Sequence, residues 1–185
     1  CEPDLDAGDI SMFLHEHYNY FSKVGIINAA MKANLKVEAI EEGPGGGFLF
    51  VKMVPSKSAS KSILVFKTYT DEEFRTKMGI FNKAIANYFK DSDPEDVAIY
   101  CPLRAMNVFY TAGIIDCRLI DDNINLQGKY LPTFNKKVES FEELKNNPPK
   151  KIFIYSKTFD KVIKEKCLKE EAFKNTKIES LRDIL

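Results

Sequence analysis

The sequence predicts an α/β fold whose second half is a parallel sheet covered by helices, and three observations carry that expectation. Short apolar runs recur at 97–101, 117–120 and 151–155. Helical stretches alternate with them, around 104–110 and at 159–168. Ahead of them, 71–90 places Phe74, Met78, Phe81, Ile85 and Phe89 on one helical face, the pattern of a helix with one buried side. Parallel strands need crossover connections, so strand-helix alternation of this kind reads as β-α-β units and a Rossmann-like architecture.

The elements follow in chain order. Ser22 is placed to cap a helix in which Val24, Ile27 and Met31 recur at helical spacing. Residues 35–41 then alternate like a strand, Gly43-Pro44-Gly45-Gly46-Gly47 makes a turn, and the apolar run 48–54 returns as a second strand, so a helix followed by a hairpin is expected. Phosphate-cradling glycine loops lead from a strand into a helix N-terminus, whereas this one leads into a strand. Pro55-Ser56-Lys57-Ser58-Ala59-Ser60-Lys61-Ser62 is small and polar and reads as a linker, which puts a boundary between two regions near residue 55. After the long helix and the first two strands, Ser140 with Glu143 three residues on is a capping box for a short helix.

Composition narrows the function classes. The chain has 185 residues, enough for one large or two small domains with a real core. Its 27 basic and 27 acidic side chains balance, so charge does not point to a nucleic acid or an anionic membrane as partner. No apolar run approaches the roughly 18 residues of a membrane span, and the opening Cys-Glu-Pro-Asp-Leu-Asp lacks the basic and apolar regions of a signal peptide. A soluble cytoplasmic protein is expected, with Cys1, Cys101, Cys117 and Cys167 as reduced thiols rather than a disulfide framework.

The two histidines of the chain stand two apart in Phe13-Leu14-His15-Glu16-His17-Tyr18-Asn19-Tyr20-Phe21-Ser22. Imidazole exchanges protons near neutrality, and an adjacent carboxylate can tune or orient it, so the segment is equipped for acid-base work. A partly buried structural pair and a two-histidine metal face are the other readings. Metal is the weakest, because no third histidine and no CxxC spacing exist to complete a site, and no metal is expected in this chain.

In a doubly wound sheet ligands settle at the carboxyl ends of strands, which draws attention to the turn after 97–100 and to Asp121 and Asp122. A dinucleotide site wants glycines in the first turn and an acid about 20 residues on for a ribose hydroxyl. Here the turn is Cys101-Pro102-Leu103-Arg104, whose side chains obstruct a pyrophosphate, although Asp121 and Asp122 stand near the expected distance. Capping of a following turn is the structural reading of that pair.

The residues from His15 to Ser22, followed by a helix and the hairpin with Gly46-Gly47, resemble the end of the catalytic domain of S-adenosylmethionine-dependent sugar C-methyltransferases. The stretch Ile120-Asp121-Asp122-Asn123-Ile124-Asn125-Leu126-Gln127-Gly128-Lys129-Tyr130-Leu131-Pro132 resembles the signature of the C-terminal Rossmann-like domain of the same enzymes. The two signatures stand in the family's order and cover most of the chain. The resemblance implies methylation of a carbon beside the ketone of a nucleotide-linked sugar, through an enolate formed by a base. It makes His17 that base and Glu16 its tuning or substrate-positioning neighbour, and it leaves His15, Tyr18 or Tyr20 to stabilise the enolate oxygen or hold substrate, with Asp121 and Asp122 as further substrate contacts. The family often has a tyrosine before the first histidine, where this chain has Leu14.

By the same resemblance residues 1–55 are the last helix and antiparallel hairpin of a class I methyltransferase domain, 56–70 a linker or exposed segment, and 71–185 a Rossmann-like C-terminal domain. The glycine-rich loop that would hold S-adenosylmethionine does not precede the histidine motif, nor does the family's small zinc-binding domain. The chain is therefore expected to be a C-terminal portion whose partners are a nucleotide sugar, the missing methyltransferase part and, as an option, a second copy of itself. A non-catalytic sugar-nucleotide-binding domain and an assembly domain built on the long helix are the alternatives.

Overall fold

A computed structural model of the chain describes residues 2–13, 21–43, 49–56 and 70–184. The predicted site residues His15, Glu16, His17, Tyr18 and Tyr20 lie outside the described residues, as do 44–48 of the glycine loop and 57–69 of the expected linker.

A short helix α1 (Glu2–Ala7) and a 3-10 turn (Ile10–Met12) open the described chain. Helix α2 (Lys23–Lys32) follows, capped as expected by Ser22, whose Oγ accepts from the Gly25 N–H at 3.0 Å. It stops at Asn34, which adopts φ 56, a left-handed conformation that asparagine tolerates better than most residues. Strands β1 (Leu35–Glu42) and β2 (Leu49–Pro55) pair antiparallel, Leu35 against Pro55 and Glu42 against Leu49, with an irregularity between Val37 and Ala39. The helix and hairpin are joined by an ion pair, Lys23 Nζ to Glu42 Oε1 at 2.6 Å.

The rest is built on a five-stranded sheet of order β5-β4-β3-β6-β7, every pairing parallel. Its strands are β3 (Val97–Tyr100), β4 (Arg118–Ile120), β5 (Val138–Glu139), β6 (Lys151–Ile154) and β7 (Lys177–Ser180). The helices are α3 (Asp71–Phe89), α4 (Pro102–Thr111), α5 (Phe141–Asn146), α6 (Asp160–Leu168) and α7 (Leu181–Ile184). Strand side chains alternate between faces. Val97, Ile99, Leu119 and Phe153 pack with Phe81, Ile85 and Phe89 of α3, Val108 and Phe109 of α4, and Leu181 of α7. Ala98, Tyr100, Ile120, Ile152 and Ile154 pack with Phe141 and Leu144 of α5 and Ile163 and Cys167 of α6. The result is helix, sheet, helix in three layers, a Rossmann-like α/β fold as the alternation predicted.

Aromatic edges lock the first layer: Phe153 stands 5.3 Å from Phe89 and 6.1 Å from Phe109, both edge to face, the arrangement that aromatic quadrupoles favour. The capping box of α5 is present, Ser140 Oγ accepting from Glu143 N and Glu143 Oε2 accepting from Ser140 N. The second signature spans the loop from β4 back to β5. Gly128 carries φ 74 and donates to the Val138 carbonyl, and Gln127 donates from its side chain to the Asp121 carbonyl. Leu131 and Phe134 anchor the loop in the core.

Candidate functional site

Strands β3, β4 and β5 run to one side of the sheet and the chain then crosses back to place β6 and β7 on the other, so the topological switch point lies between β3 and β6. Ligands of such sheets bind outside the carboxyl ends of the strands at that point. Three groups of side chains surround it.

The first is the turn after β3. Cys101 adopts φ 62 and ψ 55, a left-handed conformation where glycine is usual, and its amide reaches the Ile120 carbonyl at 3.1 Å. Pro102 occupies the first position of α4 and is buried, so the helix start has lost one of its free N–H groups. Burial, with Asp121 and Asp122 nearby, pushes the Cys101 thiol up to about 12, which leaves it protonated at neutral pH.

The second group follows β4, at the end of the strand adjacent to β3. Asp121 accepts from the Asn123 N–H at 2.9 Å, and Asn123 Oδ1 in turn accepts from Asn125 N at 3.0 Å, so the carboxylate caps its turn as the structural reading anticipated. Burial and the neighbouring Asp122 charge raise the Asp121 carboxyl above its ordinary value, against the lowering effect of the Asn123 bond. Asp122 pairs with Lys166 of α6, whose Nζ lies 2.6 Å from Oδ1. The same ammonium reaches Tyr100 Oη at 3.1 Å and lies 3.8 Å from the Phe141 ring centre, a cation-π contact. Burial, reinforced by the hydrogen bond and charge of Asp122, holds the Tyr100 phenol well above its ordinary value.

The third group, which sequence reasoning missed, stands just past β6. Tyr155 donates from its hydroxyl to Asp9 Oδ1 at 3.0 Å. The same oxygen accepts from Ser11 N at 2.9 Å, and Lys157 Nζ lies 2.7 Å from Asp9 Oδ2 and 2.5 Å from Asp4 Oδ1. Asp9 is 0% exposed and Tyr155 3%. Residues 2–13 thus contact the parallel-sheet unit across the boundary drawn near residue 55. No local pattern signals a partner 146 residues away; the one hint was an acidic stretch, Glu2, Asp4, Asp6 and Asp9, opening the chain.

Of the expected site residues, Asp121 and Asp122 therefore sit together at the carboxyl end of β4, with Cys101, Tyr100 and Lys166 beside them. Phe13, the last described residue before the histidine motif, is tied to α4 by Asn107, whose Nδ2 donates to its carbonyl at 3.0 Å, and its ring meets Phe74 of α3 edge to face at 5.9 Å. Among the described residues no group of three or more His, Cys, Asp or Glu is arranged to hold a metal ion, and no helix is long and apolar enough to cross a membrane.

The turn after β3 does not fit S-adenosylmethionine. Its tight left-handed position carries a Cys101 side chain, and the buried Pro102 ring supplies no N–H where a cofactor would approach the backbone. Fold and site define a mixed α/β protein on a five-stranded parallel sheet. No family model matches the chain, and no curated protein matches it significantly.

Proposed function

We propose that the chain is the C-terminal portion of a cytoplasmic S-adenosylmethionine-dependent methyltransferase that methylates a carbon of a nucleotide-linked keto sugar. The observation that supports this reading best is the parallel sheet with Asp121 and Asp122 at the carboxyl end of β4, in the part of the chain where the second signature falls. The first signature supplies the chemistry. His17 takes the proton from the carbon beside the ketone as the C–H pair becomes the C=C bond of the enolate and the carbonyl π pair moves onto oxygen, and Glu16 tunes or positions it. His15, Tyr18 and Tyr20 offer donors to the enolate oxygen, while Asp121 and Asp122 bind hydroxyls of the substrate. The methyl donor is assigned to residues outside those described, because the turn after β3 does not fit it.

A second reading is a sugar-nucleotide-binding or assembly domain with no chemistry of its own, and the turn after β3, which obstructs a pyrophosphate, weighs against its nucleotide-binding form. The two separate in one experiment: transfer of labelled methyl from S-adenosylmethionine to a set of nucleotide keto sugars, catalysed by the protein isolated from its native source. The methyltransferase reading expects transfer, and expects His17→Ala to lower turnover by about 100-fold or more with substrate binding retained, the scale of a lost general base. Undiminished turnover in that variant removes His17 as the base. Binding of a sugar nucleotide without methyl transfer supports the second reading.

A further inference from the structure

Doubly wound sheets leave the crevice at their switch point open for a ligand. Here the elements that bound it are already engaged by the chain itself. The segment Glu2–Phe13 lies against α3, along α4 and over the end of β6. It is held at separate points. Asp9 is fully buried beneath the Tyr155 hydroxyl and the Lys157 ammonium, and Ile10 packs into the core layer of α3 and α4. The Asp6 carbonyl accepts from Lys77 Nζ of α3 at 3.1 Å, and Asn107 of α4 holds the Phe13 carbonyl. Gly8 is pressed on α3 so closely that a Cβ there would stand 2.3 Å from the Lys77 carbonyl carbon, and its φ of 75 suits glycine.

A carboxylate is buried only where charge and hydrogen bonds replace water, and Asp9 has both. The surroundings of the segment as a whole are therefore a formed receptor for an acidic peptide rather than an accidental contact: a cation and a phenol on Asp9, an amide side chain on Phe13 and a backbone surface cut for Gly8. We propose that the end of β6 with α3 and α4 is a peptide-binding socket whose occupant is the chain's own acidic segment Glu2–Phe13, a strap that takes the β6 side of the switch point from nucleotides and leaves the β4 side, where Asp121 and Asp122 stand, to a ligand. The Rossmann-like unit then serves to clamp the chain that leads into the histidine motif. This goes beyond the reaction proposed above and does not depend on it.

Amide hydrogen exchange read by mass spectrometry on the whole chain tests the strap, with Asp9→Ala and Gly8→Ala as variants and NAD in excess as the nucleotide probe. Peptides covering 2–13 are expected to be protected in the parent and indifferent to NAD. In either variant they should exchange about tenfold faster or more, while peptides from β3 and β6 keep their protection. Gly8→Ala changes no charge, so agreement between the variants separates displacement of the segment from loss of one carboxylate. Should either variant lose protection in β3 as well, Tyr155→Phe, which removes only the hydroxyl, replaces it and must show the same faster exchange in 2–13. Unchanged exchange of 2–13 in the variants that keep β3, or NAD altering the exchange of Tyr155 and residues 2–13 in the parent, overturns the proposal.

Discussion

Arg118 is nearly buried on β4, and its guanidinium donates from Nε at 2.8 Å and Nη2 at 2.6 Å to the two oxygens of Glu139 on β5, and from Nη1 at 2.7 Å to the Asn147 carbonyl. Strand β5 pairs with β4 through two residues only, so this fork supplies much of what holds the sheet edge. Arg118→Ala leaves Glu139 without its partner and should cost about 3 kcal/mol of unfolding free energy in urea. Arg118→Lys should recover only part of it, because an ammonium cannot present two parallel donors. The cysteines offer a second test at this scale. Burial first, and nearby carboxylates second, push the Cys101 and Cys117 thiols up to about 12, and burial does the same for Cys167. Against an ordinary thiol of 9.0 that is about a thousandfold less thiolate at pH 8. Iodoacetamide should leave all three intact in the folded chain at pH 8; labelling of any of them at the rate of an unfolded peptide would contradict the burial that protects it.

Elements differ in how openly the sequence declares them. The helices α2 and α5 announce their starts through cap chemistry, and Ser140→Ala should cost about 1 kcal/mol, read as a shift in the urea midpoint with an unchanged slope. Strands β3, β4 and β6 were legible because central parallel strands are buried on both faces and read as short, mainly apolar runs, in β4 despite Arg118. The edges were not. Strand β5 is two residues long, and β7, Lys177-Ile178-Glu179-Ser180, has three polar residues in four, as a strand with one unpaired side can. The six-residue α1 is too short to show a period. The candidate site follows the same division. Asp121 and Asp122 could be placed at a carboxyl end because the end of β4 could be placed, whereas the bond of Asp9 to Tyr155 joins residues no local pattern connects.

At the scale of the molecule, the strap ties the opening of the chain to the sheet through charge, and its strength should follow pH and salt. Around Lys157 stand Asp4 and Asp9 from the segment, while Arg182 of α7 donates to the Lys157 carbonyl and is itself paired with Asp160 of α6 at 2.9 Å. Burial alone would raise the Asp4 carboxyl, but nearby positive charge, with the Lys157 hydrogen bond foremost, outweighs it and holds the group below 3.8. Burial alone would lower the Lys157 ammonium, but the Asp9 and Asp4 carboxylates outweigh it and hold the group above 10.5. Burial first, and the Asp9 charge second, hold the Tyr155 phenol well above its ordinary value, so it is a donor to Asp9 at neutral pH. The signs are opposite for the two partners. The depressed Asp4 stabilises the fold above pH 3.8 and loses that contribution as pH falls through its folded value. The elevated Lys157 stabilises it below pH 10.5 and loses its contribution as pH rises through its own. Thermal unfolding should therefore hold level in this contribution between those limits and fall outside them. Lys157→Met, which keeps the length of the side chain and removes the charge, should lower the midpoint between the limits and steepen neither flank. A variant whose loss of stability persists unchanged at pH 2 and pH 12 would show that Lys157 acts by packing rather than by charge. Because Lys157 and Asp4 retain side-chain exposures of 30% and 17%, molar salt should weaken their pairing, whereas the bond of Asp9 to Tyr155, shut away from solvent, should remain.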